Sequence, residues 1–423
     1  VGKRKKEKVM FDYMLTDEQL KLRDEVRDLV KWVPKQMILD MDEDKIQFPK
    51  EFLREAGRRN LMGCRYPKKW GGRDMDWVST CMVMEEVGTL GYIFSCIFGV
   101  GAELVCDAII QHGTDEQKEK YVKPLLRGDI FAAECLTEPR GGSDFFGATS
   151  TAVDKGDYFL LNGQKRFIVG AEGADYFLVY ARTNPDAEPH KALTCFVVDR
   201  SPGVETKYLY GLMGDRGGGT GRLVFKDVKV PRENVIGEVD GAYAVFTTMM
   251  IPERLGTAAM TIGPARTALD IATAYTSKRK AFGRVINRFQ GVSFQVAEAA
   301  MLLDASRAMI YATSRAVDDG ADKYVIRRMV SETKKFVTEA CQKVVHNSMQ
   351  VIGGIGYTNV LPVERIYRDL RLASIWTGTN EVMSMIIAHE WYREFYKTLE
   401  KRLVRDYEAD AKEADAVDEK IYE

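Results

Sequence analysis

Histidine is scarce in this chain: only His112, His190, His346 and His389 occur among 423 residues. No two sit at helical ligand spacing, and none follows a Glu by three positions, so di-iron bundles and helix-borne zinc hydrolase sites are set aside and no metal centre is expected. The seven cysteines (Cys64, Cys81, Cys96, Cys106, Cys135, Cys195, Cys341) are odd in number and contain no C-x-x-C. That argues against a disulfide framework or zinc ribbon and for a reducing compartment, the cytoplasm or, in a eukaryote, the mitochondrial matrix. Charge of one sign is lacking too, since 61 Lys and Arg stand against 62 Asp and Glu. Such a balance leaves no basic footprint for nucleic acid. No run of about 18 apolar residues is read as a membrane span, so no membrane insertion is expected. The basic cluster from Lys3 to Lys8 is followed by no apolar stretch of a secretory leader and reads as a solvated tail over residues 1–14.

With 45% hydrophobic residues the chain can build a substantial core. Over residues 15–130 the pattern is helical. Thr16-Asp-Glu-Gln19 and Thr114-Asp-Glu-Gln117 are capping boxes, Pro49 stands near the start of a further helix, and Glu85 and Glu86 lie side by side in a helix from Met82 to Leu90. Residues 131–241 switch to period two, with β-rich runs Tyr158–Leu161, Tyr176–Tyr180, Thr194–Val198 and Leu223–Phe225 between turn residues. Helical periodicity returns over residues 242–397, in long segments from Phe294 to Asp318 and Lys323 to Gln350, followed by a charged tail over residues 398–423. The expected class is α+β, with a ligand crevice where sheet and helices meet.

The glycine-rich stretches do not read as nucleotide loops. Gly214-Asp-Arg-Gly-Gly-Gly-Thr-Gly221 has no Gly-Lys-Ser/Thr ending and lies among strands, so a tight turn is expected; Gly353-Gly-Ile-Gly356 does not match G-x-G-x-x-G. No G-x-S-x-G nucleophile elbow is present.

Four other segments carry a resemblance. Leu136-Thr-Glu-Pro-Arg-Gly-Gly-Ser-Asp144, Tyr275-Thr-Ser-Lys-Arg-Lys-Ala-Phe-Gly283 with Gln290, Gln350-Val-Ile-Gly-Gly354 and Trp376-Thr-Gly-Thr-Asn-Glu381 occur in this order. Together they resemble the signatures of the flavin-dependent acyl-CoA dehydrogenases. The resemblance implies an N-terminal helical domain, a barrel-like middle sheet and a C-terminal four-helix bundle, in a tetramer built as a dimer of dimers. It also implies FAD as cofactor, with Leu136, Thr137, Ser143, Phe167 and Val169 near the flavin. Ser143 would also meet the CoA phosphates. Family members usually carry Ser or Thr where Val169 stands, so one side-chain contact to the flavin is missing here. Arg279, Gln290, Gln350 and Gly354 would reach the cofactor of a neighbouring subunit, Phe282 and Gly353 would also bind cofactor, and Thr379 and Glu381 would contact it from the last helices. Bland readings stand beside these: a turn for Ser143, a core aromatic for Phe167, and a solvated helix start for Glu381.

Many relatives place a catalytic Glu where this chain has Thr377, whose hydroxyl is far too weakly acidic to serve as a base near neutral pH. Phe246, Met249, Met250 and Glu253 fall at i, i+3, i+4 and i+7, which puts the Glu253 carboxylate on one helical face with three apolar side chains. Apolar surroundings raise a carboxyl's pKa, as a neutral-pH base requires. The segment resembles the family members whose base lies on this earlier helix. Pairing of Glu253 with a cation is the competing view, Pro252 could redirect it, and Arg254 is expected to meet an acidic partner.

The resemblance then implies an acyl-CoA whose thioester carbonyl is held by the backbone N–H of Thr377, beside Gly378. Glu253 removes the α-proton, the flavin takes the β-hydride, and electrons leave to electron-transferring flavoprotein. Phe246, Met249, Met250, Arg254 and Ser143 would line the substrate site. Gly91-Tyr92 is followed by Ile93, so the arginine of glutaryl-type relatives is absent, and a branched, cyclic or aryl-substituted chain is favoured. A desulfinase-like elimination, an acyl-CoA oxidase and a non-catalytic CoA- or flavin-binding homologue remain alternatives.

Overall fold

The computed structural model describes residues 10–402. Most of the basic N-terminal tail and of the charged C-terminal tail lies outside the described residues.

The first layer is helical: α1 (Asp17–Trp32), α2 (Lys35–Asp42), α3 (Lys50–Arg58), α4 (Trp77–Gly88), α5 (Tyr92–Gly99), α6 (Cys106–His112), α7 (Asp115–Gln117) and α8 (Lys123–Leu126). Both capping boxes form. The Gln19 amide N–H donates to Thr16 Oγ1 at 3.2 Å while the Thr16 N–H donates to Gln19 Oε1 at 2.9 Å, and Thr114 with Gln117 repeats the pattern. All of α4 is buried, and its two acids are held by arginines: Arg307 and Arg266 reach Glu85, while Arg266 and Arg27 reach Glu86. Burial alone would raise the Glu85 pKa, but the Arg307 and Arg266 charges outweigh it and hold the carboxyl below its usual value.

Among the described residues one long apolar stretch bears on the expectation of no membrane span. Tyr92–His112 is long and apolar enough to cross a membrane by length and composition. Almost all of it is packed inside the protein, from Tyr92 to Ile109, where it forms the centre of the first layer. Its π-type turn at Val100–Val105 inserts an extra residue beside the buried Glu103, which Arg65 neutralises at 3.2 Å.

The sheet follows: β1 (Ala132–Cys135), β2 (Thr151–Asp154), β3 (Tyr158–Ile168), β4 (Tyr176–Arg182), β5 (Leu193–Asp199), β6 (Val204–Leu209), β7 (Gly221–Pro231) and β8 (Val235–Ile236). The strand order is β6-β7-β3-β2-β4-β5-β8, and β1 pairs in parallel with β4. Alternation divides the two faces. Ala133, Cys135, Phe177, Val179, Phe196, Leu223 and Phe225 enclose a separate small core, whereas Ala132, Tyr176, Leu178, Tyr180, Cys195 and Val197 join the main core shared with the helices. The segment after Gly214 makes a turn between β6 and β7, as expected. Gly217 has φ +79°, and a Cβ there would lie 2.5 Å from the Met41 Cβ.

The last layer comprises α9 (Ala242–Thr276), α10 (Gln290–Asp318), α11 (Lys323–Ile352), α12 (Val363–Leu370) and α13 (Asn380–Arg402). Helix α9 runs 35 residues through both Pro252 and Pro264. Where helical pattern was expected to continue after Tyr275, a small hairpin intervenes: β9 (Lys280–Ala281) and β10 (Arg284–Val285), turned at Phe282 (φ 49°) and Gly283 (φ 76°). Two consecutive left-handed residues are what a two-residue hairpin turn demands, and the glycine makes the second free of strain.

Candidate active site

Four elements carry the predicted residues, and two of them, the loop after β1 and the turn before α13, meet α9 directly. The loop after β1 carries the first motif, and its Glu138 organises it. Burial would raise the Glu138 carboxyl, yet the buried Lys165 Nζ at 2.9 Å and the backbone N–H groups of Thr149 and Ser150 hold it at about 2. This loop lies between β1 and β2, because β1 already pairs with β4. Leu136 packs on the main core, Thr137 is half-buried beside Gly142, and Ser143 is exposed.

Phe167 ends β3 with φ 58°, at a register shift between Lys165 and Ile168. The irregularity turns its ring out of the sheet, 49% exposed and 4.7 Å from the Tyr210 ring. It is therefore not a core aromatic. Val169 is half-buried against the main core.

On α9, Phe246 stacks on Phe145 at 4.2 Å, and Phe145 meets the Tyr180 ring edge-on at 5.1 Å. Met249 is buried, and Met250 and Phe246 pack partly buried against the core. Pro252 sits inside a helix that continues unbroken through Glu253. Among the described residues the Glu253 carboxyl has no ion pair, so the pairing view of its role is not supported. Burial pushes its carboxyl up to about 7, against the Arg254 and Lys334 charges, which favour its ionised form. The expectation for Arg254 is corrected. Its guanidinium meets Ser331 Oγ at 3.4 Å and Met250 Sδ at 3.2 Å instead of a carboxylate, and burial lowers its pKa to about 10.

The fourth element is the turn before α13. Thr377 has φ 55°, and its hydroxyl donates to the Trp376 carbonyl at 2.7 Å. It accepts from Thr257 Oγ1 at 3.1 Å, and Thr257 also donates to the Glu253 carbonyl at 2.7 Å. One hydroxyl thus ties the Thr377 turn to the turn of α9 that carries Glu253. Lys334, fully buried, donates from Nζ to the Gly378 carbonyl at 2.8 Å and to Asn380 Oδ1 at 2.9 Å, while Trp376 Nε1 donates to the Tyr92 hydroxyl at 3.0 Å. Thr379 caps α13 by accepting from the Val382 N–H at 3.2 Å, and Glu381 is exposed in the first turn. The solvated-helix-start reading describes Glu381 within the single chain.

The remaining predicted residues face outward in the single chain. Arg279, Gln290 and Gln350 are exposed, Phe282 is 94% exposed, and a Cβ on Gly353 or Gly354 would meet no atom within 4 Å.

Sequence reasoning missed Glu134, Tyr180, Thr257 and Lys334. Glu134 is on β1 opposite Leu178, on the strand face that looks toward α9. Burial and the nearby Glu253 raise its carboxyl to about 8. The available signal was an acid in a small and apolar run, Phe131-Ala-Ala-Glu-Cys-Leu136.

Comparison with known proteins agrees with this architecture. Family models for the acyl-CoA dehydrogenase N-terminal, middle and C-terminal domains match residues 16–129, 133–228 and 240–391. The chain is 36% identical over 352 residues to the caffeyl-CoA reductase-Etf complex subunit CarC of Acetobacterium woodii, covering 83% of this chain and 92% of that one. It is 34% identical over 354 residues to the 3-(aryl)acrylate reductase of Clostridium sporogenes, with the same two coverages, 83% and 92%. The solved structure of butyryl-CoA dehydrogenase from Megasphaera elsdenii superposes with a TM-score of 0.85 at 30% identity, over 90% of this chain and 99% of that one. The chain belongs to the acyl-CoA dehydrogenase family, flavoprotein oxidoreductases that act on CH–CH bonds.

Proposed function

We propose that this chain interconverts an acyl-CoA thioester and its 2,3-enoyl-CoA, with Glu253 handling the α-proton and FAD as cofactor. The observation that carries the reading is Glu253: its carboxyl has no ion pair among the described residues, shares a helix face with Phe246, Met249 and Met250 and is raised to about 7, while its backbone carbonyl is tied through Thr257 to Thr377. A base poised near neutrality transfers protons most efficiently.

The residues present fit a flavin. Phe167 offers an exposed ring at an irregular strand end, and Thr137 presents a hydroxyl on the neighbouring loop. Arg279 and Gln290 stand exposed, and the backbone at Gly353 and Gly354 is open to close approach. The last four would serve the site of a second subunit, which supports a tetramer; so do the large exposed apolar side chains Phe282, Phe294, Met301 and Tyr357. FAD, when bound, supplies the acceptor or donor of the β-hydride. The chain's own residues do the rest. The Thr377 N–H, which meets no acceptor among the described residues, would polarise the thioester carbonyl and so acidify the α-carbon. Glu253 then takes the α-proton, or returns it in the reverse direction.

The acyl chain would be branched, cyclic or aryl-substituted. The stacked Phe145–Phe246 pair gives a flat apolar wall, and two relatives are named for arylacrylate-type substrates. Those names also favour the reductive direction as a second reading. Electron exchange with electron-transferring flavoprotein is supported by the relative named as part of an Etf complex. Seven free, buried cysteines support a reducing compartment.

Anaerobic mixing of the holoprotein with a panel of acyl-CoAs, without acceptor, tests the reading. Bleaching of the flavin with formation of the 2,3-enoyl-CoA supports it. Release of product with the flavin still oxidised would point to elimination, and no response from any thioester in either direction would overturn catalysis.

A further inference from the structure

Thr377 is β-branched and yet has φ 55°, followed by Gly378 at φ 82°. A left-handed β-branched residue is a strained outlier that persists only where its surroundings fix it, and such positions cluster at active sites. Three sets of hydrogen bonds fix this one. Trp376 Nε1 donates to the Tyr92 hydroxyl at 3.0 Å and Lys334 Nζ to the Gly378 carbonyl at 2.8 Å, to either side of the peptide between Trp376 and Thr377. Only the third set acts on that peptide itself: Thr377 Oγ1 donates to the Trp376 carbonyl at 2.7 Å, and Thr257, fully buried on α9, donates to Thr377 Oγ1 at 3.1 Å. A threonine bonding the carbonyl four residues back is ordinary in a helix, and Thr267 and Thr273 on α9 donate to nothing else among the described residues. Thr257 shares its one proton between such a bond, to the Glu253 carbonyl at 2.7 Å, and the turn across from it.

We propose that Thr257 is a positioning residue for the thioester-polarising N–H of Thr377, acting through the Thr377 hydroxyl and the Trp376 carbonyl. The inference rests on the acyl-CoA reading above. The Trp376 carbonyl and the Thr377 N–H are the two ends of one amide. A donor on the carbonyl draws electron density toward oxygen and leaves the N–H more positive, so it binds a developing oxyanion more strongly. The Thr377 O–H is itself a better donor when its oxygen accepts from Thr257, because hydrogen bonds in a chain polarise one another. The Thr377 N–H meets no acceptor among the described residues and is left for the ligand. The Thr257 hydroxyl also spans from the α9 turn that bears Glu253 to the donor turn, so it fixes the spacing between base and donor on which a productive geometry depends. Thr377 cannot serve as the base, yet its side chain keeps a task.

The test is anaerobic reduction of the holoprotein flavin by 3-phenylpropanoyl-CoA and by butanoyl-CoA, each followed to saturation. Thr257→Val, close in shape but without the hydroxyl, should lower the limiting rate about tenfold while the half-saturating concentration changes by less than about twofold. The loss is smaller than the roughly hundredfold or more that removing an oxyanion donor costs, because the donor stays. Thr257→Ser restores the hydroxyl and should bring the rate back to within about threefold of the wild type. Thr377→Val should lose at least as much as Thr257→Val, and the double variant should lose no more than Thr377→Val alone, since the two hydroxyls act in series. A readout that needs no turnover is the infrared carbonyl band of the bound thioester, isotopically labelled at the carbonyl carbon, on Glu253→Gln holoprotein. Adding Thr257→Val should move that band part of the way back toward its position in water. An unchanged limiting rate in Thr257→Val, no rescue by Ser, losses that add in the double variant, or an unmoved carbonyl band overturns the assignment. A wild type that neither thioester nor any other acyl-CoA bleaches would sink the acyl-CoA reading and the relay with it, whereas a bleaching wild type matched by Thr257→Val sinks the relay alone.

Discussion

Lowering the pH from 8 to 6 should slow flavin reduction by an acyl-CoA about tenfold. The magnitude follows from Glu253, whose carboxyl burial raises from 4.5 to about 7. A base with that midpoint is about 90% ionised at pH 8 and about 10% ionised at pH 6, and the rate of α-proton removal follows the ionised fraction. An ordinary carboxylate near 4.5 would stay ionised throughout and change the rate by only a few per cent. The assay is anaerobic stopped-flow at subsaturating acyl-CoA, which reports the free protein's ionisation, with flavin absorbance followed across pH 5.5–9.5. The same shift has a thermodynamic sign. A carboxyl whose folded pKa lies above its unfolded value contributes stability below about pH 4.5 and loses it as pH rises through 7, so Glu253→Gln should remove about 3 kcal/mol of that decline. A rate that is flat between pH 6 and pH 8 would refute the reasoning, because no base of this pKa would then limit the step.

Two further outcomes follow from the loops that frame the site. Glu138→Gln leaves the fully buried Lys165 without its 2.9 Å counter-charge and should cost about 3–5 kcal/mol in urea unfolding, whereas Glu138→Gln with Lys165→Met should recover part of the loss. Lys334→Met removes the donor that fixes the Gly378 carbonyl and Asn380, so the Thr377 turn should loosen. The expected readout is a KM for acyl-CoA raised by about tenfold or more, with FAD retained.

Much of this architecture was legible in local chemistry. The two Thr-x-x-Gln boxes start helices where they stand, because each satisfies N–H groups that a helix start otherwise leaves unpaired. The i, i+3, i+4, i+7 pattern at Phe246, Met249, Met250 and Glu253 places all four on one side of α9, and the interior prolines do not interrupt it. What stayed hidden is tertiary. The hairpin turned at Phe282 has no period of its own in so short a stretch. The apolar run Tyr92–His112 is a core element only because other helices and the sheet wrap it. Glu134 and Glu253 are 119 positions apart, and only the pairing of β1 with β4 brings the first to face the second. The partner expected for Arg254 was inferred from charge alone, whereas the space beside it is filled by Ser331 and the Met250 thioether.

The account's central claim is that the carboxylate on α9 does the work that Thr377 cannot. Its most direct test is the Glu253→Gln holoprotein mixed anaerobically with a thioester that bleaches the wild type. Gln is close in shape and cannot accept the α-proton, so the protein should bind FAD and the thioester yet reduce its flavin at least about a thousandfold more slowly. Bleaching at the wild-type rate would place the base elsewhere.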